Sequence, residues 1–279
     1  MKGAWVERAW SGLLIGTMTL FVVNIGLMVA AVATNSLARR WLGTWLPEGY
    51  TTAWYLSAWK EFQLGAVLWV TVEVVFAVVA LSILIGVPAA YVLARKDFPG
   101  KRLVLLLFLL PLIIPPMTYG IPLATVMYQV QLAGTLGGVI LANLIPALPF
   151  VILVMTPFIE QIDPNLESAA RVFGAGTARM FGYVLAPLLI PGILAAGLLV
   201  LVRTLAMFEL TFLTCGADSQ TLVVALYYAV FAAGVRAPQS VDAMAIVYMA
   251  VTLVWLVIAL RFVNPAQLVS RVKERPQGA

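Results

Sequence analysis

Six apolar stretches, most of them twenty residues or longer, constrain this chain more than any other feature: Ser11 to Ala33, Leu64 to Ala94, Leu103 to Val126, Gly137 to Ile159, Met180 to Val202 and a shorter one from Ala243 to Leu260. A helix needs about 20 apolar residues to cross the hydrocarbon layer of a membrane. A seventh run, Leu222 to Val235, has 14 residues and suits a re-entrant or interfacial helix. Lipid offers no hydrogen bonds to the backbone, so the expected fold class is all-α: a polytopic membrane protein of about six transmembrane helices, forming one domain over residues 1–279. Composition agrees, because 63% of the 279 residues are apolar and 10% charged, too little polar surface to cover a soluble domain of this size. The first run is about twice as long as the 7–15 residues of a signal-peptide core and no small-residue cleavage site follows, so it reads as a retained anchor.

Several kinds of chemistry are excluded by what the chain lacks. With no histidine and Cys215 as its one cysteine, it can build no His-based metal site, no Ser/His/Asp triad and no disulfide framework. The net charge of +5 does not form a nucleic-acid patch, because the basic residues sit at the ends of apolar runs. With the N-terminus inside, twelve lysines and arginines fall on inner segments and five on outer ones, a bias that places both termini in the cytoplasm. The outer segment from Thr34 to Gln63 carries Trp41, Trp45, Trp54, Tyr55 and Trp59, aromatic rings that favour the membrane interface. Prolines cluster in the third, fourth and fifth runs at Pro111, Pro115, Pro116, Pro122, Pro146, Pro149, Pro187 and Pro191, where each removes a backbone bond and kinks its helix.

Between the fourth and fifth runs, residues 160–179 form a loop with a helix of its own. Asp163 suits an N-cap, Pro164 the first helical position, Glu167 the positive helix end and Gly174 the stop. Leu166, Ala169, Ala170 and Phe173 recur at helical spacing as one apolar stripe. Geometry alone leaves two uses for such a stripe: lying on the chain's own bundle, or docking into a partner's groove.

The loop resembles the EAA loop of binding-protein-dependent ABC importer permeases, whose pattern is E-A-A, three residues, G, nine residues, then I-x-L-P. Here it runs Ser168-Ala169-Ala170, Gly174, nine residues from Ala175 to Tyr183, then Val184-Leu185-Ala186-Pro187. The spacing is met throughout, while Ser168 stands at the motif's glutamate, with Glu167 one place earlier, and Ala186 at its leucine. The likeness extends over about 200 residues from Leu64 and includes the basic turn Tyr91 to Lys101. It implies a permease subunit in a bacterial cytoplasmic membrane. The implied partners are a second permease (a paralogue or a second copy), two ATPase subunits and a solute-binding protein. Leu166, Glu167, Ser168, Ala169, Ala170, Phe173 and Gly174 would then couple the chain to the ATPase. By the same resemblance, Gly216, Asp218 and Ser219 would belong to a loop that docks the binding protein.

The chain's own residues agree on one point: no phosphate-binding G-x-x-x-x-G-K-[ST] loop is present, so ATP and magnesium would be bound by the partner and the chain itself is no enzyme and carries no cofactor. A self-sufficient secondary transporter would show two related halves, and none are visible. An intramembrane enzyme would need clustered acid, base or nucleophile, whereas Ser82, Thr156 and Cys215 are scattered. Charged and polar groups near the spans, Glu73, Tyr119, Arg203 and Glu209, are candidates for the solute pathway. Glu73 and Glu209 lean toward a cationic solute, unless Arg203 neutralises Glu209 or Glu73 sits at the outer rim. Pro164-Asn165-Leu166-Glu167 before the alanine pair and Phe208-Glu209 after the fifth run resemble polyamine or metal-ion permeases more than sugar permeases, which implies a polyamine or other cation. A sugar or other polar organic solute is the alternative.

Overall fold

The structure, a computed structural model, describes residues 2–41, 43–231 and 236–262. Among the described residues the secondary structure is helical apart from an isolated bridge between Ala38 and Tyr50. In chain order the helices are α1 (Lys2–Leu37), α2 (Ala53–Glu61), α3 (Leu64–Arg95), α4 (Lys101–Ile113), α5 (Pro116–Gln129), α6 (Leu136–Glu160), α7 (Pro164–Val172) and α8 (Thr177–Met180). A π-helical turn (Phe181–Leu185) joins α8 to α9 (Ala186–Leu205), followed by α10 (Glu209–Thr214), a 3-10 turn (Ala217–Ser219), α11 (Leu222–Phe231) and α12 (Pro238–Phe262). Five helical stretches are long and apolar enough to cross a membrane, and the bent pair α4 and α5 makes a sixth when counted as one broken span. The all-α polytopic class is therefore as the sequence indicates. Of the residues used for orientation, Arg271, Lys273 and Arg275 lie outside the described residues, as does the end of the run from Leu222 to Val235.

The third run, expected as one proline-kinked span over Leu103 to Val126, is more than kinked. It breaks at Ile114 and Pro115, and α4 and α5 meet at 100°. The cause is local: Ile114 precedes Pro115 and Pro115 precedes Pro116, so both residues are pushed out of the α region. Ile114 takes ψ 132 and Pro115 ψ 134, while Pro116 starts the next helix in the position that tolerates a missing N–H.

Two compact units make up the chain. In the first, residues 1–64 with 226–250, the Trp54 indole donates to the Ala38 carbonyl (2.8 Å), and the Ser36 and Tyr55 hydroxyls lie 2.9 Å apart. Asn35 donates to Asp242 (2.6 Å), and Arg236 pairs with Glu61 (3.4 Å) and lies over the Phe62 ring.

The second unit, residues 65–225 with the residues from 251, is organised around α6, whose neighbours include α4, α5, α9 and α10. Its core gathers Val74, Val78, Val151, Met155, Leu185 and Leu189. Without water between lipid-solvated helices, close backbone approach does much of the holding, and small residues permit it. At Gly86 an added Cβ would sit 2.8 Å from Val151 Cγ1 on α6, so α3 packs there because the position has no side chain. Thr135 caps α6 by accepting from the Gly138 N–H (3.0 Å), and a Cβ on Gly138 would run into the Leu132 carbonyl oxygen.

Candidate functional site

The helix expected in the loop after the fourth run is α7, with the predicted caps. The Asp163 carboxylate accepts from the Asn165 N–H (2.9 Å), Pro164 takes the first position, and Gly174 turns the chain with φ 83. Nothing lies within 4 Å of a Cβ built on Gly174, so the demand for glycine there is conformational. The apolar stripe divides in two. Leu166, Ala169 and Phe173 face outward, with Phe173 91% exposed, whereas Ala170 is half-buried against the core. Ser168, at the motif's glutamate position, is exposed and donates back to the Pro164 carbonyl (3.3 Å).

Glu167 departs from the surface role expected of it. It is buried at 7% exposure, and its carboxylate is claimed from α3. The Arg95 Nε donates to Oε1 at 2.7 Å, and the Tyr91 hydroxyl donates to Oε2 at 2.7 Å. Tyr91 and Arg95 reach the same carboxylate because residues four apart share a helix face. Arg95 also donates through Nη2 to the Ile162 carbonyl at 2.6 Å, and the Tyr91 ring meets Phe181 edge-on at 5.7 Å. From sequence Arg95 is an orientation charge within the basic turn Tyr91 to Lys101; its partner lies 72 residues away, and no local pattern joins them.

Of the four pathway candidates, the structure brings three together. Tyr119 on α5 lies within the electrostatic reach of both Arg203 on α9 and Glu209 on α10. Arg203 forms no ion pair with Glu209 among the described residues; its guanidinium lies over the Phe150 ring, 5.5 Å from the centroid, and its buried Nε has no acceptor. The buried Tyr119 hydroxyl has no partner either. Stacking on a ring offsets part of the cost of a half-buried cation but leaves its donors unused. Glu73 on α3 accepts instead from the exposed Trp69 indole at 2.8 Å, an arrangement suited to the rim of a membrane. Two further residues, not singled out from sequence, sit on this side of α6: Asn143, 2% exposed, donates to the Thr211 hydroxyl (3.1 Å) and leaves its own Oδ1 unpartnered. An asparagine between Ala142 and Leu144 in an apolar run was the available signal.

The segment after α10, which carries the three residues expected to dock a binding protein, is a tight turn. Asp218 is exposed, but Ser219 is 2% exposed and fully employed, accepting from the Gly216 N–H (2.8 Å) and donating to the Gly134 carbonyl (3.1 Å). Gly134 in turn donates to the Thr214 carbonyl (2.8 Å), and a Cβ on Gly216 would sit 2.6 Å from the Gly134 oxygen. Ser219 and Gly216 thus lock two turns together, and Asp218 is the one member of the expected docking trio free to meet a partner. Ser219→Ala is expected to destabilise the solubilised chain by about 1–3 kcal/mol through the lost buried bonds, read as a lower thermal midpoint, while Asp218→Ala leaves the midpoint unchanged.

A bundle of apolar, proline-broken helices with a capped amphipathic helix presented on an inter-span loop defines a polytopic membrane transport component. The family model described as binding-protein-dependent transport system inner membrane component matches residues 82–273, and the chain belongs to that family. It is 31% identical over 267 residues to a probable molybdenum ABC transporter permease protein of Haloferax volcanii, covering 91% of this chain and 92% of that one. It is 33% identical over 153 residues to a diacetylchitobiose uptake system permease protein of Streptomyces coelicolor, covering 55% of this chain and 51% of that one. The chain therefore spans about half the length of the first curated relatives it matches. Among solved structures, a bacterial ABC transporter involved in import of the acidic polysaccharide alginate superposes with a TM-score of 0.76 at 18% identity, covering 90% of this chain and 96% of that one, a likeness of fold.

Proposed function

We propose that this chain is the permease subunit of an ATP-driven importer, lining half of a path for a solute handed over by a binding protein. In this reading it sits in the cytoplasmic membrane with both termini inside, pairs with a second permease subunit and is driven by two ATPase subunits that bind ATP and magnesium. The observation that carries the reading is α7: a helix capped at Asp163 and stopped at Gly174 that turns Leu166, Ala169 and Phe173 outward on the loop where the family places its coupling motif. An apolar face held off its own bundle suits docking in a partner's groove better than lying on the chain's own helices.

For the solute, a small oxyanion is the reading we favour. Arg203 has a donor to spare within electrostatic reach of the unpartnered Tyr119 hydroxyl, and a guanidinium and a phenol facing one space suit an anion. The relative that matches nearly end to end is named for molybdenum. The cation expected from Glu73 and Glu209 is the competing reading, supported by the carboxylate of Glu209 near Tyr119. A sugar is the third, supported by relatives named for diacetylchitobiose and trehalose.

The test is uptake into vesicles holding the assembled transporter, with molybdate, trehalose and spermidine as probes, each with a binding protein that takes it. The oxyanion reading expects ATP-dependent molybdate uptake, lowered about tenfold or more by Arg203→Gln and spared by Glu73→Gln, since one charged hydrogen bond is worth about 1.5–3 kcal/mol. Uptake of spermidine alone, abolished by Glu209→Gln, would assign a cation instead. Uptake of trehalose alone would assign a sugar.

A further inference from the structure

We infer that Arg95 and Tyr91 fasten the end of α3 to α7 as one rigid joint, so that α3 carries the movement of the coupling helix across the membrane to the outer turn at Leu222. The inference rests on the permease reading, since it needs a partner that moves α7.

The joint is built from three contacts around one carboxylate. Arg95 holds Glu167, on the first turn of α7, and with a second nitrogen holds the Ile162 carbonyl, in the chain leading into α7. A guanidinium is a planar fork, so two acceptors held at once fix its plane and leave little freedom to slide. Tyr91 takes the other carboxylate oxygen and sets its ring edge-on to Phe181, at the start of the π-helical turn that leads into α9. The last turn of α3 thus touches the entry, the body and the exit of the coupling loop.

Two features make this joint stiffer than the covalent links beside it. The Arg95 and Glu167 side chains are 11% and 9% exposed, and parting them would leave a buried charge unpaired, so the pair stays closed while it moves. The covalent exit from α7, by contrast, runs through Gly174, in the left-handed region, and Gly176. A push on α7 is therefore delivered through the salt bridge into α3 as well as through the chain into α9.

At its other end α3 has a matching hold. The Thr71 hydroxyl, 3% exposed, accepts from the Leu222 N–H at 2.8 Å, at the start of α11 and directly after the turn locked by Ser219. From Thr71 to Arg95 the helix, which runs on through Pro88 without a break, rises about 36 Å, enough to connect one face of a membrane to the other. One unbroken helix therefore links the coupling joint to the outer turn.

The test uses spin labels at Lys96 and Val172, both exposed, in a Cys215→Ser background of the assembled transporter. The expected result is one narrow distance that is the same without nucleotide and with ATP and vanadate trapped. In Arg95→Ala the distance broadens without nucleotide and shifts on trapping, while the ATPase remains bound and hydrolyses ATP. The exchange Arg95→Glu with Glu167→Arg restores the narrow distance. Should Arg95→Ala fail to reach the membrane, Tyr91→Phe removes only the hydroxyl and is expected to broaden the distance to a smaller extent. The joint is overturned if the native distance itself changes on trapping by more than about 2 Å, the size of an ordinary helix shift, or if Arg95→Ala keeps the native distribution. A native chain that retains no ATPase would overturn the permease reading instead, and the nucleotide-free distances would still decide the joint.

Discussion

Glu167→Ala is expected to destabilise the solubilised chain by about 3–5 kcal/mol, the largest effect among single substitutions in the coupling loop. The reason is what it leaves behind. Arg95 is drawn into a site where its side chain is 11% exposed, and its Nε loses its acceptor along with the opposing charge. Tyr91 loses the acceptor of its hydroxyl at the same time. The pair need not add much net stability, since taking both charges out of water costs nearly as much as their attraction returns. The double replacement Arg95→Met with Glu167→Leu is therefore expected to recover most of the loss, although the rigid joint is gone. Thermal midpoints in detergent measure both; a single Glu167→Ala variant as stable as the native chain would show that the carboxylate is not the anchor described.

Phe173→Ala is the second large effect, and it falls on assembly and not on folding. The ring is 91% exposed, so its removal opens no cavity in the chain and the midpoint should not move. If α7 docks in a groove of the ATPase, Phe173 is its most projecting apolar group, and losing an aromatic anchor at an interface costs about 2 kcal/mol or more, about thirtyfold in affinity. Titration of the ATPase against membranes carrying each variant reads this directly. A helix lying on the membrane surface predicts undiminished ATPase binding together with weaker partitioning of the loop.

How far the sequence reaches depends on the range of the interaction. The caps of α7 were legible because an N-cap aspartate, a proline at the first position and a left-handed glycine act within one or two turns, and all three stand where expected. The spans were legible because lipid imposes a length. A kink in the third run was legible from its prolines, but that Ile114 and Pro115 both leave the α region and turn it into a 100° break follows only when the effect of consecutive prolines on the preceding residues is weighed. The inward turn of Glu167 was not legible, because a negative charge in a first turn is explained by the helix dipole alone and the true partner comes from a helix 72 residues earlier. The burial of Ser219 was not legible for the same reason: a serine in a turn suggests solvent, and its acceptor at Gly134 lies 85 residues away. Of the four polar groups read from the sequence near the spans, Tyr119 comes within electrostatic reach of both Arg203 and Glu209, whereas Glu73 pairs with the tryptophan one turn before it.

If α7 is the surface through which an ATPase drives this chain, its exposed apolar residues lie against that partner. A photoreactive amino acid placed at Phe173 in the membrane-embedded chain, irradiated in the presence of the ATPase expressed with it, tests that claim most directly. A crosslink to the ATPase is expected at Phe173 and at Leu166, and none at Asp218 on the turn after α10. Crosslinks at Phe173 that run only to lipid or to this chain's own helices, with the ATPase present and active, would contradict it.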